Sequence, residues 1–229
     1  MCGIIGYVGD KDAGEVVLSG LTALEYRGYD SAGIAAFTEG KIRIEKEKGE
    51  LENLKTALKK KPIVSNIAIG HTRWATHGVP SKINAHPQLS FDEKIAIVHN
   101  GIIENFAELK KNLITKHNIE FKSDTDSEII AHLIALHYKG NLLTAVQKAV
   151  LQLRGTFAFS VLAVEEPERL IAVRKDAPLI VGKTQNEGNF IASDIPALLK
   201  YTRDVYFIEN DEIVDITKNT IDIYDEALT

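Results

Sequence analysis

The sequence predicts an α+β fold in which two sheets pack face to face beneath covering helices. Three observations lead there. Short runs rich in Ile and Val recur from the first residues to the last third of the chain. Helical patterns gather in clusters instead of alternating regularly with strands. Hydrophobic residues make up 45% of the 229 residues, enough for one large core.

The elements follow in order. Ile4–Val8 is a short apolar run at the very start and predicts a buried strand. Val16, Val17, Leu21 and Leu24 fall at helical spacing within residues 12–26, with Arg27-Gly28 as the expected stop. Ser31–Phe37 reads as a strand, and Lys41–Lys46 alternates Ile42 and Ile44 with charges, as a half-exposed strand does. A polar helix is expected over 50–60, then strands at Asn66–His71 and Lys94–His99. Helices follow at 104–116, 126–138 and 142–153. The last third predicts strands at Thr156–Val164, Leu170–Arg174, Leu179–Val181, Phe190–Ala192, Val205–Ile208 and Glu212–Ile216, with a short helix over 194–200 and a final strand-like stretch. No linker, repeat or low-complexity tract divides the chain, so residues 1–229 read as one domain.

Composition narrows the function. Net charge is −5 and the basic residues form no stripe, which argues against nucleic acid and anionic lipid as partners. Lys59-Lys60-Lys61 reads as a solvated helix end. A single cysteine forbids an internal disulfide and points to a reducing compartment. The N-terminus has no signal-peptide pattern and no apolar stretch is long enough to span a bilayer, so a cytoplasmic location is expected.

Cys2 is the first residue of chemical interest. A lone cysteine is ordinarily a small buried apolar side chain. Here its small size favours removal of the initiator Met1, which would free the Cys2 α-amine. An α-amine titrates near pH 7.7–8.0 and suits general-base duty, so one residue could supply both nucleophile and base. Gly3 beside it allows a substrate close to the backbone.

Asn100-Gly101 follows the apolar run Ile97-Val98 and gives a hairpin-turn signal. The same pair could furnish an oxyanion hole from the Asn100 side-chain amide and the Gly101 backbone N–H, and the two readings are compatible. Arg73 suits either a bidentate clamp on a substrate carboxylate or a surface salt bridge. Trp74, the one tryptophan, would ordinarily pack in the core. Thr125 and Glu128 have capping-box spacing ahead of Ile129, Ile130, Leu133 and Ile134. Asp126, in the first turn of that helix, would favour the helix dipole or pair with a ligand ammonium group. His71, His77, His86 and His99 lie within one third of the chain but lack metal-ligand spacing, so neither a metal nor another cofactor is expected.

Taken together, MCGIIG at the start, Glu25–Gly33 (EYRGYDSAG), His71–Gly78 (HTRWATHG), Asn84–Pro87 (NAHP), His99–Gly101 (HNG) and Ser123–Glu128 (SDTDSE) resemble the class II glutamine amidotransferases, which are N-terminal-nucleophile hydrolases. The resemblance covers essentially the whole chain, with the motifs in the family's order. Tyr26–Ser31 and Arg73–Thr76 are most similar to the glutaminase domains of the glutamine–fructose-6-phosphate aminotransferases. It implies a four-layer αββα sandwich. It also implies hydrolysis of L-glutamine to L-glutamate and ammonia through a γ-glutamyl thioester, the ammonia serving glucosamine 6-phosphate synthesis from fructose 6-phosphate.

The family pattern assigns roles by position. Cys2 matches the nucleophile, and Asn100 and Gly101 match the oxyanion donors. Arg73 matches the clamp on the substrate α-carboxylate, and Asp126 the partner of its α-ammonium. Thr76 and His77 match further pocket residues, Arg27 and Gly28 a segment beside the nucleophile, and His86 a neighbour of the pocket. Trp74 matches a residue of a loop that closes over glutamine. Whole enzymes of this kind carry C-terminal sugar-isomerase domains that are absent from this chain, and a homodimer is expected at full length. Two other readings stay open on residues alone: the glutaminase domain of another class II amidotransferase, such as an amidophosphoribosyltransferase, and a non-catalytic glutamine-binding module.

Overall fold

The computed structural model describes residues 2–74 and 78–229. Its elements are β1 (Gly3–Gly9), α1 (Ala13–Ala23), β2 (Ser31–Thr38), β3 (Lys41–Lys48), α2 (Leu51–Lys60), β4 (Ile67–Arg73), β5 (Gln88–Leu89), β6 (Ile95–Ile103), α3 (Phe106–His117), α4 (Ser127–His137) and α5 (Leu142–Val150). Then follow β7 (Gly155–Ala163), β8 (Arg169–Lys175), β9 (Ile180–Lys183), β10 (Gly188–Ala192), β11 (Asp204–Phe207), β12 (Ile213–Thr217) and β13 (Ile221–Tyr224).

The strands form two antiparallel sheets. One has seven strands in the order β11-β9-β10-β1-β4-β2-β3, and the other has six in the order β13-β12-β8-β7-β6-β5. Strand periodicity divides the apolar residues between layers. Ile5 and Tyr7 of β1 face α1 and α2 together with Val16, Val17, Leu21, Leu51 and Leu54. Ile4 and Val8, on the opposite face, join Ile67, Ile69, Val98, Leu162 and Leu170 between the sheets. Ile97, Phe159 and Ile171 pack beneath α3, α4 and α5. The layers are therefore α, β, β and α, as the resemblance implied. Burying one of these aliphatic side chains contributes roughly 1.5–3 kcal/mol relative to leaving it exposed.

Local chemistry accounts for the helices. Asp12 caps α1, its carboxylate accepting from the Gly14 N–H at 2.9 Å. Gly70 lets α1 sit close against β4, since a Cβ there would lie 2.4 Å from Val17 Cγ1. Asn141 caps α5 by accepting from the Thr144 N–H at 2.8 Å.

Several expectations require correction. Asn100-Gly101 is no turn: β6 runs through it, with Asn100 opposite Ala158 and Gly101 opposite Phe157, because pairing with β7 continues to Ile103 and Gly155. The tight hairpin is instead Glu39-Gly40 between β2 and β3, where both residues have positive φ. The first helix ends at Ala23, before a 3₁₀ turn over Glu25–Arg27. The short helix expected over 194–200 is a 3₁₀ turn, Ile195–Ala197, with Pro196 in its first turn. The expected capping box also shifts. Asp126, not Thr125, is the N-cap of α4, and Glu128 reaches back to the N–H groups of Lys122 and Ser123 at 2.8 and 2.7 Å.

Candidate active site

The site forms where the inter-sheet core turns polar at one end. Ile67 and Ile69 of β4 are followed, on the same strand face, by His71 and Arg73. Val98 of β6 is followed by Asn100 and Ile102. β1 is antiparallel to β4 with Gly3 opposite Thr72, so the start of β1 lies beside the end of β4. Cys2, one residue earlier, shares the inward face of Ile4. The period that buries isoleucine deeper in the sandwich thus brings Cys2, His71, Arg73 and Asn100 together at its mouth.

A cleft of about 430 Å³ opens here, and its walls include Cys2, Arg73, Trp74, Asn100, Gly101 and Asp126. The Trp74 backbone N–H donates to Cys2 Sγ at 3.1 Å. Burial pushes the thiol above its ordinary value of 9.0, and that hydrogen bond pulls it back. The thiol therefore needs a base before it can act as a nucleophile near neutral pH. Asn100 Nδ2 donates to the Cys2 carbonyl at 3.3 Å, and Asn100 Oδ1 lies 2.8 Å from His71 Nε2. Gly101 has a φ of 119°, and a Cβ there would stand 2.0 Å from the Thr156 carbonyl oxygen. Only glycine lets the backbone pass at this point.

Opposite the thiol, α4 begins at the cleft wall with Thr125, Asp126 and Ser127. Asp126 is buried, and its Oδ2 accepts from the Ile103 N–H at 2.8 Å, tying the start of α4 to the end of β6. Arg73 is buried at 4% exposure instead of lying in a surface salt bridge, and one of its guanidinium nitrogens donates to the Gly78 carbonyl at 3.3 Å. The cleft thus presents a buried cation and a buried carboxylate beside a thiol and an amide donor. That combination matches an amino acid with a free α-carboxylate and α-ammonium and a carbonyl at its far end.

Arg27 also lines the cleft and pairs with Asp194 at 2.9 Å. Gly28, at φ 77°, lies against the Trp74 ring, where a Cβ would come within 3.2 Å of Cζ3. Trp74 is not a core residue: it is 53% exposed at the rim. His86 is buried in the wall with its ring centroid 4.2 Å from that of His71. Thr76 and His77 lie outside the described residues.

Residue-level reasoning missed part of the lining. His99 is a wall residue, its Nδ1 2.8 Å from Ser127 Oγ. Thr156, Asp176, Ala177 and Pro178 close another side. They sit at strand ends and turns with no local signal of a site. His71 carried a usable signal, standing two residues before Arg73 on the same strand face. Among the described residues no group of three or more His, Cys, Asp or Glu is placed to hold a metal.

Comparison with known proteins agrees with this geometry. Residues 57–227 match the family described as "Glutamine amidotransferase domain". Among curated relatives, a glutamine–fructose-6-phosphate aminotransferase [isomerizing] of Clostridium acetobutylicum is 52% identical over 224 residues, covering 98% of this chain and 36% of the relative. Its counterpart in Clostridium perfringens is 54% identical over 226 residues, covering 99% and 37%. The chain thus spans little more than a third of the length of these relatives. Among solved structures, the glutamine phosphoribosylpyrophosphate amidotransferase of B. subtilis superposes with a TM-score of 0.85 at 25% identity, covering all of this chain and 50% of that one.

Proposed function

The chain belongs to the glutamine amidotransferase family, and from that premise we propose that it hydrolyses the side-chain amide of L-glutamine at Cys2, releasing L-glutamate and ammonia. The observation that carries the reading is the convergence of Cys2, Asn100, Arg73 and Asp126 on one cleft. Arg73 holds the substrate α-carboxylate and Asp126 its α-ammonium, which points the side-chain amide at Cys2. Arg27, His86 and Trp74 line the pocket, with Gly28 against the Trp74 ring, and the family pattern assigns Thr76 and His77 to glutamine binding as well.

Removal of Met1 frees the Cys2 amine to act as base. Sγ attacks the amide carbon, forming the S–C bond, while the thiol proton passes to the amine. The carbonyl oxygen becomes an oxyanion held by Asn100 Nδ2 and the Gly101 N–H. Collapse breaks the C–N bond, the amine returns the proton to the leaving nitrogen, and ammonia departs from a thioester. Water, deprotonated by the same amine, then attacks the thioester, and glutamate leaves as the thiol is restored.

The two curated relatives carry the name of the sugar-phosphate enzyme at about half identity. This supports assigning the chain as the glutaminase part of a glutamine–fructose-6-phosphate aminotransferase, an enzyme we further propose to be cytoplasmic and homodimeric at full length. In that enzyme sugar-isomerase domains would consume the ammonia to form glucosamine 6-phosphate. The amidophosphoribosyltransferase reading has a structural likeness at 25% identity and lacks the higher sequence identity.

The test pairs intact mass with a glutamate-release assay. Loss of Met1 together with glutamate release that disappears in Cys2→Ala is the expected result. Wild-type turnover in Cys2→Ala would refute the assignment, as would correctly processed protein that binds glutamine without ever turning it over.

A further inference from the structure

The His71–Asn100 contact joins the two sheets beside the Cys2 backbone. His71 is fully buried on the inter-sheet face of β4, and its Nε2 lies 2.8 Å from Asn100 Oδ1 on β6. Donor and acceptor roles in this pair follow from a third group. Asn100 places its other amide atom 3.3 Å from the Cys2 carbonyl oxygen, which can only accept. Turning the amide over would set two oxygens against each other there, so nitrogen must face Cys2 and oxygen must face His71. An amide oxygen can only accept, so His71 must carry a hydrogen on Nε2. Burial holds the ring neutral, lowering its pKa to about 3 despite the opposing hydrogen bond to Asn100, and a neutral ring has one N–H to place.

We infer that His71 is a positioning residue for the proposed reaction: its Nε2–H fixes the Asn100 amide so that one Nδ2 hydrogen meets the Cys2 carbonyl and the other is aimed at the substrate oxyanion. The inference rests on the glutaminase reading and adds a residue to it. His71 touches no substrate in this arrangement and acts only through Asn100. Its loss therefore weakens transition-state binding while leaving the Arg73 and Asp126 contacts to ground-state glutamine in place. The ring of His86, 4.2 Å away, packs against the imidazole and helps to hold its plane.

The experiment is a double-mutant cycle on the purified protein, reading kcat and KM for glutamate release in wild type, His71→Leu, Asn100→Ala and the double variant. His71→Leu should lower kcat about 10- to 100-fold, short of the ~100- to 1,000-fold loss that follows removal of an oxyanion donor itself, and change KM less than about 3-fold. In the Asn100→Ala background the same substitution should cost less than about 3-fold. His71→Gln, whose amide can still donate, should recover most of the loss. An equal kcat penalty in both backgrounds, or unchanged kcat in His71→Leu, overturns the inference while Cys2-dependent turnover in wild type leaves the glutaminase assignment standing. Wild-type protein with no Cys2-dependent turnover overturns both. If His71→Leu does not fold, the tautomer of wild-type His71 decides by long-range 1H–15N spectroscopy: a hydrogen on Nε2 supports the inference, and one on Nδ1 overturns it.

Discussion

Asn100 Nδ2 on the six-stranded sheet donates across the sandwich to the carbonyl of Cys2, which precedes the central strand of the seven-stranded sheet, at 3.3 Å. The proposed nucleophile and the amide donor thus belong to different sheets, and their separation is set by how those sheets pack. The apolar layer between the sheets, with Ile4, Ile69, Val98 and Leu162, is therefore also the support of the site. Close-packed interiors resist small displacements, so the geometry at the mouth inherits the rigidity of the core behind it.

Gly101 should tolerate no side chain. Its φ of 119° is unfavourable for any L-residue bearing a Cβ, and the added atom would meet the Thr156 carbonyl oxygen at 2.0 Å. That oxygen belongs to the neighbouring strand β7 and cannot withdraw without breaking the register that runs from Ile95 to Ile103. Gly101→Ala should destabilise the fold by about 1–3 kcal/mol or more. It should also lower kcat, by shifting a backbone N–H out of line with the oxyanion. Thermal unfolding and glutamate release read the two effects, and a melting temperature equal to wild type would refute the steric account.

Asp126 has one observed contact and one proposed duty, and two substitutions can separate them. Its Oδ2 satisfies the buried Ile103 N–H at 2.8 Å, and its charge is assigned to the substrate ammonium. Asp126→Asn keeps an acceptor and removes the charge, so KM for glutamine should rise at least ~10-fold with little change in melting temperature. Asp126→Ala leaves the Ile103 N–H unpaired and should cost a further ~1–3 kcal/mol of stability. Equal KM values for Asp126→Asn and wild type would remove Asp126 from substrate recognition.

The fold was legible in the sequence because its layers are written in strand and helix periods. Every predicted strand has its counterpart, and the helices over 50–60, 104–116 and 126–138 match α2, α3 and α4 closely. Misreadings occurred where tertiary pairing overrode a local signal. Asn100-Gly101 has the composition of a hairpin, yet β7 pairs straight past it because the connection between the strands is made by α3, α4 and α5. Trp74 and Arg73 exchanged their ordinary places, the indole standing at the rim and the guanidinium buried, because β4 turns its inward face toward a polar cleft at that end. The wall formed by Thr156, Asp176, Ala177 and Pro178 depends on how β7 and β8 reach the cleft, which no short motif encodes.

Glu128 should govern acid stability of the segment that carries Asp126. Its carboxylate is buried, and burial alone would raise its pKa. The His132 ring, with Nε2 3.2 Å from the carboxylate, and hydrogen bonds from the Lys122 N–H and both the hydroxyl and N–H of Ser123 outweigh that and hold it at about 2, below its ordinary value of 4.5. A carboxylate whose pKa is lower in the folded protein stabilises the fold above the unfolded value and loses that contribution as pH falls through the folded one. The window therefore runs from about 4.5 down to about 2. At neutral pH Glu128→Gln should be less stable than wild type by roughly 1–3 kcal/mol, the cost of weakening hydrogen bonds to a buried charge. Thermal melts of both proteins from pH 7 downward should show that gap narrowing below about pH 4.5, as protons bind the unfolded wild type more readily than the folded one. A gap of constant size down to pH 3 would mean that the carboxylate charge does not hold this segment in place.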